Sequence, residues 1–347
     1  MTTITVIIPN YKGIKFIENC LSSLYAQVEG TPSYEVLVVD NASEDGSVEL
    51  IREKFPQTRL LCLKENTGFC HAVNMGIQSS DSPYVLLLNN DTKVYSDFIK
   101  QIYAPMEDLG VSKTSNAKGK GKASGRMISG GKDGRWPIFS VSAAMLMWDK
   151  PELMDDAGDV YTILGWAFSR GKGKPYKDYQ QRTHIFSACG GAALYRREAL
   201  ERIGLFDEKH FAYLEDLDLG YRANIYGYRS LYEPRARVVH YGSASTGSRY
   251  NAWKTKRAAA NSVYVIAKNL PFFFKVLHFP FLLAGYGIKF LFFVRKKMGR
   301  QYLLGVCEGL RLSMSYEGRQ KRVKFQTKHL GNYLRIEWDL IAGLFRR

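Results

Sequence analysis

The sequence predicts an α/β protein with a Rossmann-like, mostly parallel sheet flanked by helices, followed by a C-terminal helical region that associates with membranes. Three observations carry this reading. Short β-branched runs alternate with segments of helical periodicity across residues 3–91, the pattern of βαβ units. Polar residues follow those runs at once, at Pro9-Asn10, Asp40-Asn41 and Asn89-Asn90-Asp91. The texture changes after Asn251, where aromatic and apolar runs mix with most of the chain's excess positive charge. A chain of 347 residues, 46% hydrophobic and 24% charged, has room for one large domain and an appendage and has the make-up of a folded protein.

Residues 3–9 (TITVIIP) and 34–40 (YEVLVVD) read as buried parallel strands, because both are apolar without alternation and end in turn residues. Between them, Ile14, Ile17, Leu21 and Leu24 recur at helical spacing. A second helix is expected from Ser47 to Phe55, a third strand at RLLCLK (59–64), and a third helix near 69–80. YVLLLNND (84–91) is a fourth strand ending in Asp91. In such sheets ligands bind beyond the carboxyl ends of the strands, where the three polar clusters fall. The Gly/Lys/Ser-rich stretch 113–135 reads as a solvated flexible loop, with a mobile lid as the alternative. Further on, ARVVH ends a strand at His240, and KRAAANSVYVIAKNLP reads as a helix stopped by Pro271.

From Asn251 to the end, 19 Lys and Arg stand against four acids (Glu308, Glu317, Glu337, Asp339), so this quarter holds nearly all of the chain's net charge of +16. Such a region seeks phosphate, on nucleic acid or on anionic lipid. Its apolar run, FFFKVLHFPFLLAGYGIKFLFFVRKK, is interrupted by Lys275, His278, Pro280 and Lys289. A spanning helix needs about 20 apolar residues with few charges. One or two helices lying in the membrane interface, with each lysine reaching the headgroups, therefore fit better, the alternative being a buried core helix. The expected division is a catalytic domain over 1–250 and a basic, aromatic-rich, membrane-associating region over 251–347. The five cysteines are scattered, with no CxxC pair, which argues against a disulfide framework or a structural zinc site. MTTITVIIPNYK has no basic stretch followed by an apolar run, so no secretory leader is expected and a cytoplasmic location is the default.

The candidate chemistry lies at the strand ends and in the segment 188–245. A carboxylate at Asp40 can accept from a base N–H or a ribose hydroxyl, or cap the next helix. Asp91 offers a hard oxygen ligand for a divalent cation that keeps other positions for phosphate and water, or is itself a cap. Glu215, Asp216 and Asp218 crowd the start of a helix whose apolar residues include Leu217, Leu219 and Tyr221. The helix terminus favours one or two of these charges, and crowding raises proton affinity, which suits a general base. His240 can complete a metal shell begun by Asp91, or be hydrogen-bonded only. Beside Cys189, Gly190 and Gly191 let backbone approach a substrate closely.

VIIPNYKG (6–13), VLVVDNASEDGS (36–47), ENTGFCHAVNMGI (65–77), LLLNNDT (86–92) and the segment 188–245, with its FDE…YLEDLDLGYR…H, resemble glycosyltransferase family 2 in family order over about residues 3–270. The resemblance is nearest to the bacterial rhamnosyltransferase-like branch that builds surface polysaccharides and cell-wall linkers. It implies a GT-A fold and a nucleotide-diphosphate-sugar donor, with dTDP-rhamnose the donor the branch points to. It implies that Asp40 reads the nucleotide base, with Pro9 and Asn10 walling the pocket. Asn66, Gly68, Asn74, Asn89, Asn90, Gly190 and Gly191 fall on the donor side. Asp91 corresponds to the last residue of a DxD-type motif and His240 to a histidine near the diphosphate, together holding Mg²⁺ or Mn²⁺. Asn89 stands where that motif begins with Asp, which leaves the burden on Asp91. Asp216 corresponds to the general base and Glu215 to its support or an acceptor contact.

The implied reaction is a single in-line displacement that inverts the anomeric centre, with an acceptor that is lipid-linked or a polysaccharide at the cytoplasmic face of the membrane. Four other readings compete. A nucleotidyltransferase would carry a Gly-rich basic loop directly after the first strand, where this chain has Pro9-Asn10-Tyr11-Lys12. A nucleic-acid-binding protein would not interleave its cations with so apolar a run, so no nucleic-acid partner is expected. A processive synthase would carry spanning helices and a QxxRW-type motif, and a sugar-binding pseudoenzyme would lack the Glu215-Asp216 pair.

Overall fold

A computed structural model describes residues 2–108, 137–242 and 251–345. The stretch 113–135 lies outside the described residues. The first half alternates strands and helices as expected: β1 (Ile4–Asn10), α1 (Ile17–Tyr25), β2 (Tyr34–Asp40), α2 (Ser47–Lys54), β3 (Arg59–Cys62), α3 (Phe69–Gln78), β4 (Tyr84–Leu88). Then come β5 (Thr92–Val94), α4 (Phe98–Asp108), β6 (Ile138–Met147), β7 (Met154–Asp156), β8 (Asp159–Tyr161), β9 (Ala167–Ser169), β10 (Thr183–Ile185) and β11 (Ala192–Arg196). The segment closes with α5 (Arg197–Ile203), α6 (Glu215–Ile225) and β12 (Arg229–His240). The C-terminal helices are α7 (Ala252–Asn269), α8 (Phe272–Arg295), α9 (Gly299–Met314), α10 (Tyr316–Gln320) and α11 (Leu330–Ala342).

The main sheet runs β10-β12-β6-β11-β4-β1-β2-β3, with β5 on β12 and β7 on β6. The half read from the sequence is parallel: β4, β1, β2 and β3 pair in that sense. The other half is mixed, because β11 lies antiparallel between β4 and β6 while β12 runs parallel to β6. Helices cover both faces of the parallel half, which is why its strands are continuous apolar runs. Val6 and Ile8 face α1 and α4, whereas Ile7, Leu37 and Val39 face α3. Gly76 lets α3 lie close on the sheet, since a Cβ there would come within 2.6 Å of Ile7 Cγ2.

The C-terminal helices pack on the sheet domain through α6. Leu217, Tyr221 and Ile225 of α6 share a core with Val265 of α7, Phe274 of α8, and Tyr333, Ile336 and Leu340 of α11. Polar bonds join them as well. Lys268 Nζ of α7 lies 2.7 Å from Asp207 Oδ2 and 2.8 Å from Asp218 Oδ2, and Asn269 donates to Asp218 Oδ1 at 2.7 Å. All three side chains at the centre of this network are buried. Removing one partner of a buried pair strands the other charges. Lys268→Ala is therefore expected to cost about 3–5 kcal/mol of stability in urea unfolding, and a loss below about 1 kcal/mol would mean that water already solvates the carboxylates.

The apolar run 272–295 forms one helix, not two, and passes through Pro280, which lies on the exposed side. By length and composition α8 is long and apolar enough to cross a membrane. Of the groups read as interruptions, the two lysines and the histidine turn inward. Lys275 Nζ donates to Ala267 O at 2.7 Å, His278 pairs with Glu337 of α11, and Lys289 Nζ sits 6.0 Å from the Trp166 ring centre. The expectation that these lysines reach lipid headgroups is therefore corrected. Positions 275, 278, 285 and 289 share one helical stripe, and that stripe is the docked one.

Candidate active site

The parallel register sets one side of the site. Asn10 and Asp40 are paired residues at the ends of β1 and β2, with Pro9 opposite Val39 one step earlier. Asn10 Nδ2 donates to Asp40 Oδ1 (2.8 Å), Ser43 Oγ (3.1 Å) and Ser47 Oγ (2.9 Å), while its Oδ1 accepts from Asn90 Nδ2 (2.8 Å). Asp40 also accepts from Ser43 N at 3.1 Å. The buried carboxylate is thus fixed by its own loop, at the edge of an open cleft of about 260 Å³ lined by Asp40, Ser43, Cys62 and Lys64. Asn41 fastens the loop before α3 to the same strand end. It donates to Asn66 Oδ1 at 3.0 Å and accepts from Thr67 N at 3.0 Å. Gly68 has φ +87°, and a Cβ there would strike the Phe211 ring at 2.6 Å, so only glycine fits. Asn74 stands apart. Its amide is spent on Phe206 N and O and on Glu208, so it ties α3 to the 206–208 segment.

The second part forms where β4 and β12 end. Antiparallel pairing sets His240 opposite Thr92, and Tyr241 N donates to Asp91 O at 3.0 Å. His240 Nε2 lies 3.3 Å from Asp91 Oδ1, and its Nδ1 lies 2.7 Å from Asp155 Oδ2. Burial alone would lower the imidazole, but its hydrogen bonds to Asp155 and Asp91 prevail and hold it up at about 9. Burial would raise Asp155, yet His240 and the Lys172 ammonium hold it down at about 2. Among the described residues no group of three or more His, Cys, Asp or Glu is arranged to hold a metal. Asp91 and His240 nonetheless suit a divalent ion that displaces the imidazole's Nε2 proton and takes its remaining ligands from diphosphate and water.

The third part is the start of α6. Phe211, Tyr213 and Leu214 all have left-handed backbone (φ 61°, 72° and 63°), a strain of about 1–3 kcal/mol each that the surroundings must hold. Asn261 of α7 does so, its Nδ2 lying 3.0, 2.9 and 2.7 Å from the carbonyls of His210, Ala212 and Tyr213. The helix that follows presents Glu215 and Asp216. Asp216 Oδ2 accepts from Gly190 N (3.1 Å) and Oδ1 from Leu217 N (2.8 Å). Burial pushes its carboxyl up. Glu215 is pushed up to about 8 by burial and then by Asp216, and its Oε2 has no hydrogen-bond partner. Asp218 departs from the crowd read in the sequence. Burial would raise it, but Lys268 and Arg222 hold it far below the carboxylate range, so it anchors α6 and α7.

Gly190 and Gly191 connect the parts. Asn89 N donates to Gly191 O at 2.9 Å, and a Cβ on Gly191 would lie 3.2 Å from Asn89 Nδ2. Asp216 and the Asn89–Asp91 strand end therefore meet across two residues without side chains. Sequence reasoning missed the acids that approach from β7 and β8. Asp155 orients His240, and Asp156 is pushed up to about 6, with Asp159 also raised, each mainly by burial. Their signal was three acids within five residues around Gly158, whose φ is +90°.

Residues 5–204 match the family model described as glycosyl transferase family 2. N-acetylglucosaminyl-diphospho-decaprenol L-rhamnosyltransferase of Mycobacterium tuberculosis is 27% identical over 260 residues, covering 70% of this chain and 77% of that relative. Among solved structures, S. aureus TarS 1-349 in complex with UDP-GlcNAc superposes with a TM-score of 0.51 at 15% identity, over 98% of this chain and 84% of TarS 1-349. GalNAc-T7 with UDP, GalNAc and Mn2+ gives 0.54 at 15% identity over 77% of this chain, which spans about half (48%) of that one. The βαβ half-sheet, the crevice at its strand ends and the family match lead to one conclusion: this chain is a nucleotide-sugar-dependent glycosyltransferase with a GT-A fold, a member of glycosyl transferase family 2.

Proposed function

We propose that the chain transfers a sugar with inversion, in a metal-dependent reaction, from a nucleoside-diphosphate sugar to a lipid-linked or polysaccharide acceptor in cell-surface glycan synthesis. The observation that carries this reading is the junction at Gly190 and Gly191, which ties a carboxylate of raised proton affinity to the strand end bearing Asp91. Asp40, with Pro9 and Asn10, receives the nucleotide base and ribose in the open cleft. Asn66, Gly68, Asn89, Asn90, Gly190 and Gly191 line the path of the donor, and Asn74 is left out for the reason above. Asp91 and His240 would hold Mg²⁺ or Mn²⁺, which would supply positive charge to stabilise the leaving diphosphate. Asp155 accepts from the other ring nitrogen, which leaves His240 Nε2 toward that group. Asp216 removes the acceptor proton while the acceptor oxygen attacks from the face opposite the diphosphate. Glu215 keeps its proton near neutral pH and so spares Asp216 a second full negative charge beside it.

The mycobacterial relative, named for rhamnosyl transfer to a decaprenyl-diphosphate-linked sugar, supports a rhamnosyl donor and a polyprenyl-linked acceptor, and dTDP-rhamnose is the donor proposed. Its lipid-linked acceptor is in keeping with membrane association, and peripheral attachment at the cytoplasmic face through residues 251–347 is part of the proposal. Hydrolysis of a panel of nucleotide sugars with Mg²⁺ or Mn²⁺ tests the donor. The expected result is turnover of dTDP-rhamnose above the others, abolished by EDTA. Preference for a UDP-sugar would overturn the rhamnosyl reading, and full activity in EDTA would overturn the metal.

A further inference from the structure

The outward surfaces of the C-terminal helices expose many large apolar residues. With Lys275, His278 and Lys289 turned inward, the outer arc of α8 has no charge before Arg295, and its large apolar residues from Phe272 to Val294 are 40–82% exposed. Two further stripes lie outside that segment. On α11 the exposed large residues Leu330, Leu334, Trp338, Ile341 and, just beyond, Phe345 follow 4-4-3-4 spacing, one face of a helix. The opposite face, with Tyr333, Ile336 and Leu340, is the one buried on α6. On α9, Leu303, Leu310 and Met314 form a third exposed stripe. Its opposite face meets α7 through Gly305 and Gly309, where Cβ atoms would lie 2.2 and 2.4 Å from backbone oxygens. Each helix is thus docked on one face and exposes large apolar residues on the other, with exposed Arg300 and Arg311 flanking those of α9.

Charge selects what covers these faces. Exposed Arg295, Lys296, Lys297 and Arg300 follow α8, and exposed Arg319, Lys321, Arg322, Lys324 and Lys328 lie between α9 and α11. A two-fold contact between copies would bring like-charged rims together, whereas an anionic bilayer offers acyl chains to the stripes and phosphates to the cations. The inner face of α8 also fixes its attitude. Trp166 Nε1 donates to Gly285 O at 3.0 Å, and a Cβ on Gly285 would meet Leu164 O at 2.2 Å, so α8 lies against the body of the protein. A helix held that way cannot cross a bilayer without pulling the catalytic domain in with it.

Resting on the peripheral attachment proposed above, we propose that α8, α9 and α11 together form one three-helix seat that lies flat on an anionic bilayer. Their apolar stripes enter the acyl boundary, Trp338 sits at headgroup depth, and the exposed cations meet lipid phosphates. The seat sets the height of the crevice above the membrane, where a lipid-linked acceptor presents its sugar.

The test is co-sedimentation of the full chain with phosphatidylcholine vesicles, with and without about a third phosphatidylglycerol. Three surface pairs are compared: Leu334→Gln with Trp338→Gln on α11, Leu303→Gln with Leu310→Gln on α9, and Phe279→Gln with Leu283→Gln on α8. Each pair is expected to weaken binding to the anionic vesicles by at least about tenfold, from the apolar area lost, with donor hydrolysis unchanged. High salt and omission of phosphatidylglycerol should weaken it too. Wild-type binding by the α9 and α11 pairs, with loss only in the α8 pair, would overturn the three-helix seat. A dimer in sedimentation velocity that the same pairs dissolve, without vesicle binding by the unaltered chain, would assign these faces to a second copy and overturn it as well. If the unaltered chain hydrolyses no nucleotide sugar yet binds vesicles in the expected pattern, the seat stands and the catalytic proposal falls.

Discussion

Asp216→Asn is expected to lower glycosyl transfer about 10²–10⁴-fold, the range for loss of a general base, while the protein folds and binds donor. The side chain keeps its shape, so the loss isolates the proton-accepting function. A modest stability cost is expected as well. Asp216 now accepts from two backbone N–H groups, Gly190 and Leu217, and an Asn must turn its NH₂ toward one of them. Thermal unfolding and donor titration therefore accompany the rate measurement. The pH profile gives a second readout. A base works only when deprotonated, and burial raises the proton affinity of Asp216, so wild-type kcat/KM is expected to fall with decreasing pH above the ordinary aspartate range. Near-wild-type turnover in Asp216→Asn would remove this residue from the mechanism.

Asp91→Ala is expected to weaken metal-dependent binding of the nucleoside diphosphate by about 100-fold or more. Loss of groups that only orient a ligand already costs about 10–100-fold, and Asp91 is, among the described residues, the carboxylate at the proposed metal position. The deletion also frees His240 from one of the two carboxylates that hold its proton, leaving Asp155 on the other ring nitrogen. His240→Ala should show a smaller loss in the same direction. Calorimetric titration with and without EDTA separates the metal-dependent part, and unchanged metal dependence in both variants would refute the assignment.

The parallel half of the sheet was legible because burial on both faces writes each strand as an unbroken apolar run, and the residues just past β1, β2 and β4 inherit their places from register. Asp40, Asp91, Asp216 and His240 could therefore be proposed from local pattern together with the family resemblance. The mixed half was harder to read. β6 (IFSVSAAMLM) buries Ser140 and Ser142, which pair or pack within the fold, so its polarity hides its depth. Asp155, Asp156 and Asp159 reach the site from β7 and β8, and no spacing rule links position 155 to 240. Asp218 looked like its neighbours because Lys268, which determines its charge, lies fifty positions away. The direction of the α8 lysines was written in the sequence after all. Positions 275, 278, 285 and 289 fall on one stripe, but counting charges along the run discards the phase that shows it.

The stereochemistry of the product tests the central claim most directly. Transfer from a nucleotide sugar of defined anomeric configuration to a polyprenyl-diphosphate acceptor or a soluble analogue can be followed by NMR of the anomeric proton. A single displacement assisted by Asp216 predicts a product with the anomeric configuration opposite to that of the donor. Retention of configuration would contradict the account, because it requires either a second displacement through a covalent sugar–enzyme intermediate or attack from the leaving-group side.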